Sequence, residues 1–232
     1  RMKVGAIILC RYSSSRLRGK TLKEIQGKKI LEYIIEKIKQ VNNIDGFCIA
    51  TSTEEDDDEV GRFCKQNGLP VFRGDLNNVA QRFHNCAVEQ EYDVMVRING
   101  DNIFTDSNMI QNAVASFLKD DLEFLSNVKG RTFPKGMSVE VVNAESYKNA
   151  LQNITKSEYY SEHVMPYFYD HDNDFKTKYV YHEDDAYKNI DLALDTAEDF
   201  QLATNIIQQF TKSHREYSCA EIVELYKKTV KI

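Results

Sequence analysis

Ten consecutive residues, Arg11 to Lys20 (R-Y-S-S-S-R-L-R-G-K), hold four cationic side chains, three serines and one glycine. Guanidinium groups grip phosphate oxygens in pairs, a lysine adds a point charge, and hydroxyls and loop amides supply further donors. The segment therefore reads as a phosphate cradle, with Arg11, Ser13, Ser14, Ser15, Arg16 and Lys20 as candidate ligand contacts. A charge run is often only a solvated loop, but this one directly follows an apolar run, where ligand loops of parallel sheets lie. It has neither the G-x-x-x-x-G-K-[ST] spacing of a P-loop nor a G-x-G-x-x-G fingerprint, which argues against a P-loop kinase or a Rossmann dehydrogenase.

A second constellation, Arg97 to Asp106 (R-I-N-G-D-N-I-F-T-D), sets Asp101 just beyond another apolar run, with Gly100 expected to let the backbone turn sharply. Mg²⁺ takes oxygen ligands, usually one or two carboxylates together with substrate phosphates, so Asp101 calls for a companion. Asp195, in D-L-A-L-D-T-A-E-D, is the candidate; the alternative is that Asp195 or Thr196 simply caps the helix that follows. Asp191 and Asp199 are weaker candidates, read as a strand-edge and a helix-surface charge. The acidic run Glu54 to Glu59 has no EF-hand spacing and reads as a solvated helix start. Glu162 and His163 fall on an expected helix, where a lone histidine is more often structural than catalytic.

The elements that must position these groups alternate. Lys3 to Cys10 is a strand pattern buried on both faces, Ile30, Ile34, Ile35 and Ile38 repeat at helical spacing, and Gly46 to Thr51 is a second strand. A helix over Asp56–Gln66, a strand over Leu69–Phe72, a helix over Asn78–Gln90 and a strand over Asp93–Ile98 continue the series. This predicts an α/β fold with a mostly parallel sheet, helices on both faces and ligands at the carboxyl ends of the strands. Beyond Asp101 the pattern loosens into a mixed β region: a helix over Ser107–Leu118, strands over Leu122–Val128 and Ser138–Val142, and a helix over Ser157–Tyr169. Helices over Ala197–Phe210 and Cys219–Lys228 follow. No linker or repeat divides the 232 residues, so one domain over 1–232 is expected.

Composition narrows the partners. A formal charge of −6 argues against general nucleic-acid affinity, and the apolar run Val4 to Cys10 is far too short for a membrane span. Five scattered cysteines without a C-x-x-C pair suggest neither zinc nor a disulfide framework and fit a reducing cytoplasm.

With these pieces in place, the chain resembles the SpsF-type cytidylyltransferase-like proteins of surface polysaccharide synthesis, relatives of CMP-Kdo synthetase and the acylneuraminate cytidylyltransferases. The opening I-I-L-C-R-Y-S-S-S-R-L-R-G-K-T-L carries the resemblance. It continues in order through A-T-S (Ala50 to Ser52), V-F-R-G-D (Val71 to Asp75), Q-R-F (Gln81 to Phe83) and V-R-I-N-G-D (Val96 to Asp101). F-P-K-G-M-S-V-E-V (Phe133 to Val141), E-H-V (Glu162 to Val164) and L-D-T-A-E-D (Leu194 to Asp199) complete it. The resemblance implies a GT-A-like nucleotidyltransferase fold in which the first loop wraps a triphosphate and two aspartates, Asp101 and Asp195, hold Mg²⁺. It implies transfer of CMP from CTP to a sugar acid or related small anionic or sugar acceptor, with release of pyrophosphate. Arg11, Arg16, Lys20 and Asp101 then serve catalysis; Thr51, Ser52 and Arg82 join the nucleotide contacts, and Arg97, Glu140, Glu162 and His163 the acceptor contacts. A homodimer is compatible with it. Two departures stand out: Arg18 replaces the usual proline, expected to add charge beside the triphosphate, and N-I-F (Asn102 to Phe104) replaces a C-P-L-like sequence. A GT-A glycosyltransferase using a nucleotide-sugar donor is the competing reading, with the loop cations favouring a triphosphate.

Overall fold

The computed structural model describes residues 1–232. Six consecutive apolar or small residues form β1 (Val4–Leu9), buried along its whole length. It lies parallel to β4 (Gly46–Ser52) on one side and β6 (Val94–Asn99) on the other. A short hairpin, β2 (Glu24–Ile25) and β3 (Lys28–Lys29), stands apart from them. The strand β5 (Val71–Gly74) extends the sheet beyond β4, two residues later than its sequence pattern suggests. On the far side β8 (Glu140–Asn143) runs antiparallel between β6 and β7 (Phe124–Ser126), and β9 (Thr177–Tyr179) lies parallel to β7 at the edge. The sheet order is β5-β4-β1-β6-β8-β7-β9, so the reversal falls in the second half, where the expected mixed region lies.

Side-chain alternation sends successive residues of each strand to opposite faces. Ala6, Ile8, Val94, Val96 and Ile98 enter one apolar cluster. It also holds residues of α1 (Ile30–Lys39), α2 (Asp58–Gln66), α4 (Ser107–Lys119), α8 (Ala197–Ile207) and α9 (Cys219–Val230). Ile7, Leu9 and Met95 enter the other. There α3 (Val79–Gln90), α5 (Ala144–Ile154), α6 (Glu158–His163) and α7 (Pro166–Asp170) cover the sheet. Each fully buried Ile or Leu contributes about 1.5–3 kcal/mol relative to exposure, so these two clusters hold the three layers together. The same alternation places Arg97, two residues beyond Met95, on the face that carries α3 and α6. No helix is long and apolar enough to cross a membrane.

Three expectations change. The helix expected over Ser157–Tyr169 is two helices, α6 and α7, broken at Val164 and Met165 before Pro166. Between β8 and α6 lies an unexpected helix, α5, capped by the Asn143 side chain and marked in sequence by Tyr147, Ala150, Leu151 and Ile154 at helical spacing. Gly100 is not required for a left-handed turn, since its φ is not positive; it is required for space. A Cβ there would lie 2.5 Å from Cys10 Cβ and 3.0 Å from the Leu9 carbonyl oxygen.

This close approach seats the end of β6 against the end of β1. Gly100→Ala is expected to force the two apart and lower unfolding stability by about 1–3 kcal/mol, read by urea denaturation. An unchanged midpoint would mean that the junction is looser than its contacts suggest.

Candidate active site

A cleft of about 1090 Å³ opens at the carboxyl ends of β1 and β6, where an open α/β sheet offers loop residues to a ligand. Its lining contains six Lys or Arg residues (Arg11, Lys20, Arg82, Arg97, Lys135, Lys156) against four acidic ones (Asp101, Glu158, Glu162, Asp195). The cleft is thus formally cationic although the chain carries −6. Such a contrast focuses anions into the site.

At its floor Lys20 Nζ lies 3.4 Å from Asp195 Oδ1 and 3.8 Å from Asp101 Oδ2. Asp101 is delivered by the turn after β6. Asp195 is brought there by backbone contacts: Leu194 N–H donates to the Asp101 carbonyl (3.1 Å) and Leu192 N–H to the Lys135 carbonyl (2.7 Å). Gly136 lets this strip pass, since a Cβ would lie 2.6 Å from Ala193 N. Asp195 is not the helix cap. Thr196 caps α8 with its own side chain, and Asp199 completes that capping box by accepting from the Thr196 and Asp195 amides. Asp191 sits 3.8 Å from Lys135 Nζ and accepts from the Ala193 amide. These roles leave Asp195 free to face Asp101.

The two carboxylates differ in character. Burial above all, and then hydrogen bonding and repulsion from Asp195, push the Asp101 carboxyl up to about 6, against the pull of Lys20. Burial also opposes ionisation of Asp195, but the hydrogen bond from Asp101 and the Lys20 ammonium outweigh it and hold Asp195 below the usual carboxylate range. Two carboxyls sharing one place behave in this divergent way. Asp101 Oδ1 is buried without a hydrogen-bond partner, an arrangement that costs free energy unless a ligand or ion occupies it. A pair of hard oxygen donors with one orphaned oxygen fits Mg²⁺, which takes few protein ligands and completes its shell with phosphates and water. No cluster of three or more His, Cys, Asp or Glu residues suggests a fully protein-bound metal.

The loop after β1 is held from outside the cleft. Buried Asp57 accepts from the Tyr12 amide at 2.6 Å and from the Ser52 amide and hydroxyl. Asp56 accepts from Ser13 Oγ (2.5 Å) and pairs with Arg18 at 3.5 Å. The acidic run is therefore only partly a solvated helix start: its middle latches the basic loop. Arg18 is drawn to Asp56 and leans on the Tyr12 ring, and does not line the cleft, contrary to the charge expected beside the ligand. Arg11, Ser13, Ser14 and Lys20 line the cleft, whereas Ser15 and Arg16 are exposed and outside its lining. Arg16 remains near enough to depress Asp195. Thr51 and Ser52 are fully buried and do not reach the cleft; Ser52 is engaged by Asp57.

Arg82 emerges more strongly than its sequence signal. It is 3% exposed, yet lines the cleft with Nε and Nη1 unpartnered. Gly74 makes room for it, since a Cβ there would lie 3.1 Å from Arg82 Cγ. Beside it the turn Leu76 to Val79, shaped by Asp75 accepting from the Asn77 and Asn78 amides, brings the start of α3 to the cleft. Sequence reading missed Asn77 and Asn78, although V-F-R-G-D ends only two residues before Asn77.

On α6, Glu162 and His163 both line the cleft. Arg97 Nη1 donates to the His163 carbonyl (2.9 Å) and to Glu140 Oε1 (3.3 Å). Glu140 is buried and also accepts from Tyr169 at 2.5 Å. It orients Arg97 and is not itself in the lining. Lys135 and Lys156 complete this side; Lys135 belongs to the F-P-K-G segment, and Lys156 follows α5, which sequence patterning overlooked.

SpsF of Bacillus subtilis, a spore coat polysaccharide biosynthesis protein, is 26% identical over 227 residues, covering 94% of this chain and 92% of the relative. The 3-deoxy-manno-octulosonate cytidylyltransferase of Fusobacterium nucleatum is 29% identical over 166 residues, 72% of this chain and 66% of that one. A solved cytidylyltransferase structure from Leptospira borgpetersenii superposes with a TM-score of 0.92 at 31% identity, covering 100% of this chain and 96% of that one. The cytidylyltransferase profile matches residues 5–230. With the sheet, the basic loop and the paired aspartates in their places, this chain is a nucleotidyltransferase of the cytidylyltransferase family.

Proposed function

We propose that the protein transfers CMP from CTP to a sugar acid or closely related anionic acceptor, releasing pyrophosphate, in the synthesis of a surface polysaccharide or glycoconjugate. The observation that carries this reading is the convergence of Lys20, Asp101 and Asp195 in a cationic cleft. The reaction forms a bond between an acceptor oxygen and the α-phosphorus and breaks the bond to the bridging oxygen, which leaves on pyrophosphate. Arg11 and Lys20 neutralise the departing phosphates and the Ser14 hydroxyl helps to orient them, the Ser13 hydroxyl being given to Asp56. Arg82 supplies unpaired guanidinium donors to the nucleotide from the start of α3. Arg97, fixed by Glu140, with Lys135, Lys156 and His163, receives the acceptor. Holding both substrates in one geometry removes much of the entropic barrier. Asp101 and Asp195 would hold Mg²⁺, which supplies Lewis-acid neutralisation of phosphate charge when bound. The family speaks against a nucleotide-sugar glycosyltransferase.

The direct experiment incubates the protein with each of the four nucleoside triphosphates, Mg²⁺ and a panel of sugar acids and sugar phosphates, and assays pyrophosphate. CTP is expected to bind most tightly by calorimetry and to support turnover with a sugar acid. Equal affinity for all four nucleotides would refute the base preference.

Lys20→Ala removes a charge-assisted phosphate contact and is expected to weaken CTP binding by roughly ten- to a hundredfold. Lys23→Ala, which removes an ammonium 5.5 Å from the Phe200 ring and outside the cleft, should leave binding at the parental level. If both variants bind alike, the phosphate-loop assignment is wrong.

Asp101→Asn and Asp195→Asn are each expected to nearly abolish Mg²⁺-dependent turnover, with the double variant little worse than either, because groups serving one ion are strongly non-additive. Ionised Asp101 is costly to bury, so Asp101→Asn should melt at or above the parental temperature. Additive losses would separate the two aspartates functionally.

A further inference from the structure

Val164, where the expected long helix breaks, has φ 74° and ψ −51°. Four other non-glycine residues have positive φ: Gln26, Glu91, Asp121 and Lys231. None of them is β-branched, and Glu91 and Lys231 sit in the ordinary left-handed helical well at helix ends. Val164 is both β-branched and fully buried, and its negative ψ takes it out of that well into the strained form of the γ-turn. The Met165 amide donates to the His163 carbonyl at 2.8 Å and closes the three-residue turn. Strain of this kind costs about 1–3 kcal/mol and persists only where the surroundings over-determine it. Here the side chain is packed in the cluster that contains Phe83, Tyr147 and Phe168, and its carbonyl accepts from Tyr147 Oη at 2.9 Å.

Ending the helix does not require this strain, because Pro166 alone would stop it with ordinary backbone angles. What the turn achieves lies one residue earlier. A continuing helix would direct the His163 carbonyl along its axis to the amide four residues on. The turn instead leaves it facing Arg97, whose Nη1 carries both hydrogen bonds of the guanidinium, to His163 and Glu140. Arg97 Nε is buried without a partner. The Nε and Nη2 edge therefore has no protein hydrogen-bond partner, and its two donors match the spacing of two oxygens on a carboxylate or phosphate. Lys135, Lys156 and His163 line the same cleft.

We propose that Val164 is a positioning residue for the acceptor: its γ-turn presents the His163 carbonyl to Arg97 and keeps one guanidinium edge free for an anionic group. The inference rests on the nucleotidyltransfer reading for the identity of that anion as part of the acceptor. The full chain labelled with ¹⁵N-arginine tests it, the Arg97 Nε–H signal being assigned by its loss in Arg97→Lys. Sodium acetate and sodium phosphate, titrated separately with CTP present, are expected to shift that signal, and the more potent of the two identifies a carboxylate or a phosphate. Val164→Ala should broaden it and weaken the anion response by about tenfold or more, with CTP affinity unchanged and Val164→Ile restoring the parental response. Val164→Thr, which keeps the branched shape but buries a hydroxyl in the apolar cluster and so weakens the packing that sustains the turn, provides a second loosened variant should the alanine form fold poorly. An Arg97 signal unmoved by either anion, or Val164→Ala and Val164→Thr both retaining the parental response, would overturn the proposal. Failure of CTP to bind the parent would instead overturn the nucleotidyltransfer reading, and the two anion titrations would still decide whether Val164 positions Arg97.

Discussion

Lys20 lies between two carboxylates that are far apart in the chain, and the remaining site architecture follows from keeping those three groups together. Two partly buried like charges repel, and a single ammonium between them offsets that repulsion only where the backbone prevents retreat. Backbone restraint is supplied on every side. Gly100 seats the turn after β6 against β1, and the strip Leu192 to Leu194 is hydrogen-bonded to Lys135 and Asp101. The loop carrying Lys20 closes through Gly19, whose amide donates to the Tyr12 carbonyl at 2.8 Å. The outcome is a pair of carboxyls with divergent acidity, one of them with an oxygen that no protein group satisfies.

The basic loop illustrates how surrounding acid organises a cationic site. Asp56 and Asp57 bind it through one hydroxyl, one amide and one guanidinium, drawing Ser13 and Arg18 outward while Arg11 and Lys20 remain toward the cleft. Such a latch shapes the loop before any ligand arrives, which reduces the ordering entropy that binding must overcome. Arg82 is prepared in a different way. Its guanidinium is desolvated in advance, and burial pulls its pKa down from the usual arginine range. A donor left without water and without a protein partner gains most when an anion reaches it.

Around Arg97 the same economy acts through the backbone. Glu140, itself held by Tyr169, takes one side of the guanidinium, and the carbonyl of His163 reinforces that side. The strained residue beside His163 is sustained by packing against α3 and α5 rather than by any contact with the cleft. Conformational strain stored in a well-packed wall can in this way set the orientation of a side chain that the wall does not contain.

The α/β alternation, the carboxyl-end location of the site and most of its ionic groups were legible in the order of residues. Hydrophobic period and the residues just after apolar runs are local properties, so Arg11, Lys20 and Asp101 could be singled out from their neighbours alone. Asp195 was legible as a candidate but not distinguishable from a helix cap, because that choice depends on Thr196 and Asp199 completing the cap between them. Tertiary structure alone decided that Thr51 and Ser52 turn inward, that Glu140 serves Arg97, and that Asp57 latches the basic loop. It also decided the break at Val164, where a helical pattern yields to burial of a valine side chain and a hydrogen bond from Tyr147. These outcomes depend on contacts between residues distant in sequence, in which packing and charge pairing outweigh the local preferences that a sequence displays.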